Sequence, residues 1–397
     1  MLLKHCIAAI GVYLISFTGS CQSWTQLSDF PGYERDDGVA FILNDGKAYC
    51  GTGLQVGWAL TKDFYSLDLA TDTWAPIASM PAGQERQYAV AFSNGSNGYV
   101  FGGEAGGIDL NDIWMYSPIT NSWTAYTSKP GNGVRGASVF WNGAAHVFIM
   151  GGAFSATGAL SEIWVYNMLN DTWTQKNNMP FTCWRACSAF ANLKGYLLFG
   201  RDVNGRFRKE LFEYDPALDT WTQISTFPGP GRAYATMQNI NNDLVVFGGL
   251  DSLNNYYNDV WKYSIGSNTW TQLTSLPGVG RKGGIGFTNF TNTNFYYTCG
   301  IDQGNTRLKQ TWKATQFVGI NELEEKAGLR IFPNPSSEKI TVKLPKNYLN
   351  NYEIVDATGR VLLSGDLKGN HQINVSSLSQ GIYFLVCGTY SSKLIIQ

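Results

Sequence analysis

The chain has 397 residues, 44% hydrophobic, 15% charged and 14% aromatic, with 44 glycines and a net charge of −1. That composition describes a folded globular protein and excludes a disordered one, and the near-zero charge removes any chain-wide attraction to nucleic acid or an anionic membrane. Many glycines with many aromatics suit short strands, tight turns and packing through large side chains, so the expected class is all-β.

Lys4 and His5 precede an apolar run over residues 7–17, followed by the small residues Gly19 and Ser20. This pattern predicts a signal peptide over residues 1–22; the run is too short to anchor a helix across a bilayer, and no later stretch is long enough, so no transmembrane segment is expected. Ser20-Cys21 could close a lipobox, but Thr18 stands where a large aliphatic residue is usual. Beyond this region lie Cys50, Cys183, Cys187, Cys299 and Cys387. Cys183 and Cys187 are about 13 Å apart at strand rise, too far to bond. Cys50 and Cys299 hold matching places in the first and last repeats, where a bridge or two small buried side chains both fit.

From Trp24 onward one unit recurs. A large aromatic stands nine residues before a Trp, often with Tyr two residues after it: Tyr65 and Trp74, Trp114-x-Tyr116 and Trp123, Trp164-x-Tyr166 and Trp173, Phe212-x-Tyr214 and Trp221, Trp261-x-Tyr263 and Trp270. The closing tryptophans, Trp24 included, are 48 to 50 residues apart. That period is the length of a four-stranded propeller blade. Each Trp is followed eleven or twelve residues later by an arginine: Arg35, Arg86, Arg135, Arg185, Arg232 and Arg281. Then come a run of small and apolar residues, a turn, and a second apolar run ending in glycine, as in Val100-Phe101-Gly102-Gly103. The glycine pair degrades to Gly51-Thr52-Gly53, Gly200-Arg201 and Gly300-Ile301 in three repeats. Trp312 marks a third strand in the last repeat, but nine residues on stands Asn321. Trp24, conversely, has no third strand before it, so residues 24–27 are expected to complete the last blade, closing a ring of six without exposed edges.

Paired glycines followed by Tyr and Trp at fixed spacing resemble kelch repeats. The expected fold is a six-bladed kelch β-propeller over residues 23–318, a charged linker over 319–328, and a small β-sandwich over 329–397 with strands near 339–344, 352–356, 361–364, 382–386 and 393–396. Within that last segment Ile331-Phe332-Pro333-Asn334-Pro335-Ser336, Asp356-Ala357-Thr358-Gly359-Arg360-Val361 and Leu378-Ser379-Gln380-Gly381-Ile382-Tyr383 occur in order. They resemble the C-terminal sorting domain of the type IX secretion system. The resemblance implies export across both membranes, release or attachment at the outer surface, and the secretion machinery as a partner.

His146 is the single histidine of the propeller region. Galactose oxidase-like kelch enzymes hold copper with two His and two Tyr, which this chain does not supply; no zinc spacing, EF-hand or phosphate loop is present, so neither metal nor cofactor is expected. His146 reads as a structural residue before a buried strand. The six arginines, Arg35, Arg86, Arg135, Arg185, Arg232 and Arg281, read as one per blade around a channel mouth, where guanidinium groups would meet carboxylates. By resemblance to kelch propellers that capture acidic peptides, the expectation is a binding module for a protein, an acidic peptide or a glycan. The alternative is a carbohydrate-active propeller, similar to the N-acetylneuraminate mutarotases or lectin-like, with Glu104 or Glu210 as acid/base groups. Glu34, Asp36, Asp37 and Glu85 are nearby carboxylates that could tie the arginines down instead.

Overall fold

The computed structural model describes residues 22–315, 330–343, 349–356, 360–368, 371–387 and 390–397. The expected linker and the expected signal peptide, Gln22 apart, lie outside them. Two compact units are present, Cys21–Phe317 and one that contains Val318–Gln397. Among the described residues all the regular structure is β, apart from a single 3-10 turn at Val56–Trp58.

The first unit holds six four-stranded antiparallel sheets. Blade one is Val39–Ile42, Lys47–Gly51, Phe64–Asp68 and Thr73–Pro76. Blades two to five follow in the same order, their innermost strands being Val90–Ser93, Ser138–Trp141, Trp184–Ala191 and Ala233–Ile240. Blade six takes Ile285–Thr288, Phe295–Thr298 and Thr311–Thr315 from one end of the repeat region and Ser23–Gln26 from the other. Trp24 pairs with Ala314 across that closure. Its ring lies edge-on to Phe247 and Phe295, each centroid 6.3 Å away. The innermost strands pack blade against blade around the ring, blade six returning to blade one.

Most signature residues have a bonding task. Four closing tryptophans donate their Nε1–H to a carbonyl before their own blade's first strand: Trp24 to Thr274, Trp74 to Ser28, Trp123 to Ala78 and Trp173 to Thr127; Trp270 donates to the Ser225 hydroxyl, and Trp221 Nε1 finds no partner among the described residues. The repeated Tyr donates its hydroxyl to an Asx side chain five residues on, Tyr116 to Asn121 at 2.9 Å and Tyr166 to Asp171 at 2.8 Å. That Asx adopts a left-handed backbone in the turn between strands three and four, a conformation short polar side chains tolerate.

The second glycine of each pair carries the close approach. At Gly103 φ is +98°, and a Cβ would stand 2.6 Å from the Gln87 carbonyl oxygen. Its N–H crosses to the Val134 carbonyl, and Gly53, Gly152, Gly200 and Gly300 bond to the equivalent carbonyls of Arg86, Cys183, Arg232 and Arg35. This corrects the sequence reading of the degraded pairs. The equivalent steps are Thr52-Gly53, Phe199-Gly200 and Cys299-Gly300, each with the first residue also at positive φ. Backbone fills the space of a Cβ at the second glycine, which persists in every blade; it also crowds the first position at Gly102 and Gly151, yet Thr52, Phe199 and Cys299 hold that place in three blades.

Cores lie between neighbouring blades: Phe41 and Tyr49 of blade one meet Val100 and Tyr116 of blade two. Cys50, Cys183, Cys187, Cys299 and Cys387 are free and buried.

The described residues of the second unit form two sheets. One comprises Arg330–Phe332, Lys339–Lys343 and His371–Asn374; the other comprises Leu349–Val355, Val361–Lys368, Gly381–Cys387 and Tyr390–Ile396. Ile340, Val342 and Ile373 of the first share a core with Ile354, Leu385 and Leu394 of the second. In the segment between the first two strands, Asn334 donates to the Lys393 carbonyl at 2.7 Å and accepts from the Ile395 N–H at 2.8 Å. The side chain thus substitutes for a strand neighbour along the last strand.

Candidate functional site

The six arginines do not share one repeat position. The N–H of Arg35, Arg86, Arg232 and Arg281 donates to the carbonyl of Leu308, Thr61, Arg208 and Tyr257, and the residues with that bond in blades three and four are Val134 and Cys183. Arg135 therefore sits one residue beyond the shared place and Arg185 two beyond it. Spacing from Trp could not separate these cases, because the step from Trp to the shared place varies between ten and twelve residues.

The four aligned arginines are at most 1% exposed. Arg35 grips Asp63 through both Nη atoms at 2.7 Å, Arg86 grips Asp112 at 2.7 and 2.9 Å, and Arg232 grips Asp259 at 2.6 Å twice. Arg281 reaches Gln310 at 3.0 Å. Each also donates to the carbonyl of the residue before that second glycine, Thr52, Gly102, Gly248 or Cys299. Their Nη donors are turned into the protein, where they fix strand one to strand three of their own blade, while the Nε atoms of Arg232 and Arg281 are buried without a partner among the described residues. Arg135 binds Asp109 and Ser155 in the loops of blades two and three.

The channel mouth is formed by the residues two places after the shared position: Asp37, Tyr88, Gly136, Arg185, Tyr234 and Gly283. All six have φ between +57° and +63°. Backbone hydrogen bonds link them from blade to blade, Asp37 to Gly283, Gly283 to Tyr234, Arg185 to Gly136, Gly136 to Tyr88 and Tyr88 to Asp37, the first named of each pair donating. A left-handed backbone disfavours side chains with a Cβ, by roughly 1–2 kcal/mol each, so Asp, Tyr, Arg and Tyr hold these places at a cost.

Their side chains converge. Arg185 Nη1 donates to Asp37 Oδ1 at 3.1 Å, from blade four to blade one, directly across the ring. The guanidinium lies 3.4 Å from the Tyr88 ring centroid and 4.5 Å from that of Tyr234. Lys282 Nζ stands 4.6 Å from the Tyr234 centroid, and Trp184 meets the same ring edge-on. Arg307 Nε donates to Asp36 at 2.6 Å while its guanidinium covers Trp58, a ring 78% exposed at the rim. Burial pushes the Asp37 carboxyl up to about 7; Arg185 opposes the rise, Asp36 adds to it and Lys282 opposes it.

Arg185 is only 9% exposed, yet its Nε and Nη2 have no hydrogen-bond partner in the protein. It lines a cavity of about 100 Å³ with Asp37, Gly136, Tyr234 and Gly283. Behind lies the channel, about 440 Å³, walled by the innermost strands.

Glu104 accepts from Gln87 Nε2 at 2.7 Å and from the Gly107 N–H. Glu210 pairs with Arg206 and Arg208. Against burial, which would raise it, the Glu210 carboxyl is held low by its own backbone N–H, Arg208, the Lys209 N–H and Arg206. His146 opens the strand His146–Met150 as an exposed residue 3.4 Å from the Asn167 amide, beside a groove of about 590 Å³. Among the described residues no group of three His, Cys, Asp or Glu side chains is placed to hold a metal.

Asp37, Tyr88, Tyr234, Trp184 and Lys282 were not singled out as site residues in the sequence. A signal for them exists. A small residue, Gly38, Ala89, Ala137, Ala186, Ala235 or Gly284, follows each mouth position, and aligning on it rather than on arginine gives the structural register.

The KLHDC2/KLHL20/DRC7 Kelch-repeats domain matches residues 10–199, the Kelch motif matches 231–277, and the secretion system C-terminal sorting domain matches 330–397. The chain is 29% identical over 213 residues to N-acetylneuraminate epimerase of Haemophilus influenzae (strain PittEE), covering 51% of this chain and 52% of that protein. It is 37% identical over 241 residues to N-acetylneuraminate epimerase 2 of Escherichia coli O6:H1, covering 59% and 58%. Kelch-like protein 35 of Mus musculus is 24% identical over 209 residues, covering 53% and 34%. The chain thus spans about half the length, or less, of these curated relatives. The solved structure of YjhT superposes with a TM-score of 0.61 at 19% identity, over 72% of this chain and 95% of that one, a likeness of fold. With the blades, their bonding signature and the C-terminal unit in place, the chain carries kelch repeats folded as a propeller and, over residues 330–397, a secretion-system sorting domain.

Proposed function

We propose that the chain is an exported binding module that takes an anionic ligand, an acidic sugar or an acidic peptide side chain, at the channel mouth between Arg185, Tyr88, Tyr234 and Lys282. The observation that carries this reading is the guanidinium of Arg185, nine-tenths buried with two donors unpartnered. A buried donor left unsatisfied costs about 1–3 kcal/mol, and a ligand oxygen recovers that energy. Exposed Trp58 and the tyrosines offer faces on which a sugar ring can stack. The C-terminal unit supports delivery of the propeller to the medium or the outer surface, by way of the type IX machinery.

A second reading, exchange of the anomers of an acidic sugar, is favoured by Asp37. A carboxyl that titrates at about 7 beside a carboxylate-binding arginine has the properties of a general acid and base. The relatives named N-acetylneuraminate epimerase support it.

The test is a screen of the purified chain against anionic sugars, matched neutral sugars and acidic peptides. Anionic ligands alone are expected to bind. Arg185→Gln is expected to abolish binding, and His146→Ala, outside the mouth, to leave it unchanged. Binding that survives Arg185→Gln in the folded protein refutes the mouth as the site. For any acidic sugar that binds, the rate of anomer exchange measured by NMR decides between the two readings.

A further inference from the structure

Resting on the reading of the mouth as the ligand site, we infer that it holds one carboxylate group on the Nε–Nη2 edge of Arg185, and that filling it requires neutralisation of Asp37, so that the site loads in mildly acidic conditions and empties in alkaline ones.

The geometry leaves one edge of the guanidinium without a partner. Tyr88 and Tyr234 lie against the guanidinium, and its Nη1 is committed to Asp37. What remains is the edge carrying Nε and Nη2, two parallel donors whose spacing matches the two oxygens of a carboxylate. The cavity that Arg185 lines with Asp37, Gly136, Tyr234 and Gly283, about 100 Å³, has the volume of about three waters, enough for a carboxylate head; the two nitrogens are themselves closed to solvent while Nη1 holds Asp37, so the head reaches them as the guanidinium leaves Asp37.

The charges fix the sign of the pH dependence. Asp37 is faced by Arg185 from blade four, Lys282 and Tyr297 from blade six, Tyr88 from blade two, Tyr234 and Tyr256 from blade five, and its own neighbour Asp36. Blade three presents Gly136, which carries no charge. Asp36 is matched by Arg307, and burial pushes all four tyrosine hydroxyls up, so they stay neutral through the physiological range. Asp37 is the group that burial pushes into that range. Ionised, it competes for Arg185 and repels an arriving carboxylate; protonated, it leaves Arg185 and Lys282 uncompensated.

Calorimetric titration of the full chain with acetate, glucuronate and N-acetylneuraminate between pH 5.5 and 8.5, in two buffers of different ionisation enthalpy, reads affinity and proton uptake together. The expected result is uptake approaching one proton per ligand above neutrality, with affinity falling up to about tenfold per pH unit there. Asp37→Asn is expected to bind at pH 8 about as tightly as the native chain at pH 6, without a slope. Arg185→Lys, which keeps the charge but loses the fork, is expected to weaken binding at least about tenfold at every pH. Binding that is flat in pH, or a slope that survives Asp37→Asn, overturns the coupling and leaves the mouth reading standing. No binding of any probe by the native chain, or binding indifferent to Arg185→Lys and Arg185→Gln, overturns both.

Discussion

Replacing Arg86 by Val gives blade two the residue that blade three carries naturally at the equivalent place, Val134. In the native protein Arg86 is fully buried and donates to Asp112 twice, to the Gly102 carbonyl and to Gln84. Removing one partner of a buried pair costs about 3–5 kcal/mol, because the other charge is left without compensation. Asp112 retains 28% exposure and the Trp114 Nε1–H at 2.8 Å, which places the cost near the low end, about 3 kcal/mol. Arg86→Val/Asp112→Leu removes both charges and is expected to recover about half of that loss, the remainder reflecting an unpartnered Trp114 donor and the Gly102 carbonyl. Urea unfolding followed by tryptophan emission is the assay. All 13 tryptophans lie between residues 24 and 312, so the signal reports the propeller alone. A fall in midpoint at constant slope gives the free energy. A single variant within about 1 kcal/mol of native, or a double variant no more stable than the single, refutes the assignment of these arginines to the blade framework.

Two further outcomes follow from the same contacts. Trp24→Ala removes the ring that lies edge-on to Phe247 and Phe295, and is expected to lower stability by about 3–5 kcal/mol, with proteolysis then starting at the blade-six closure; resistance equal to native would place the closing energy elsewhere. The Asp37 carboxyl titrates at about 7 in the folded protein against about 3.9 unfolded, so the native state holds the extra proton between those values. Stability is therefore greatest below about pH 4 as far as this group is concerned, and is lost as pH rises through about 7. Asp37→Asn is expected to flatten that part of the profile of melting temperature against pH, and an unchanged profile would assign the slope to other groups.

The parts of this fold that were legible in the sequence are those where one residue type performs one task in every blade. Trp at 48–50-residue spacing was visible because most closing tryptophans bolt a strand onto the preceding loop, and the lone Trp24 announced the closure. The strands Arg330–Phe332 and His371–Asn374 were not visible, being only three and four residues long, the second of them largely polar. Arginine was visible too, but it misled. Identity grouped Arg135 and Arg185 with four residues whose backbone bonds they do not share, since register is set by φ and by the small residue that follows, and neither is an arginine property.

That misreading indicates where information about the ligand resides. Stacked repeats share whatever builds the stack, so positions that agree across blades carry architecture. The aligned arginines, the second glycines and the closing tryptophans agree in most blades, and their polar atoms are chiefly spent on the protein itself. The mouth position does not agree: it reads Asp, Tyr, Gly, Arg, Tyr, Gly around the ring, under one strained backbone geometry. Two of the six take the glycine that geometry favours. The other four hold side chains there against their backbone preference, and Arg185 keeps two donors unspent. A site on a ring of equivalent elements must break their equivalence to recognise anything that lacks sixfold symmetry, and among the strained mouth residues this break is concentrated in four side chains from blades one, two, four and five.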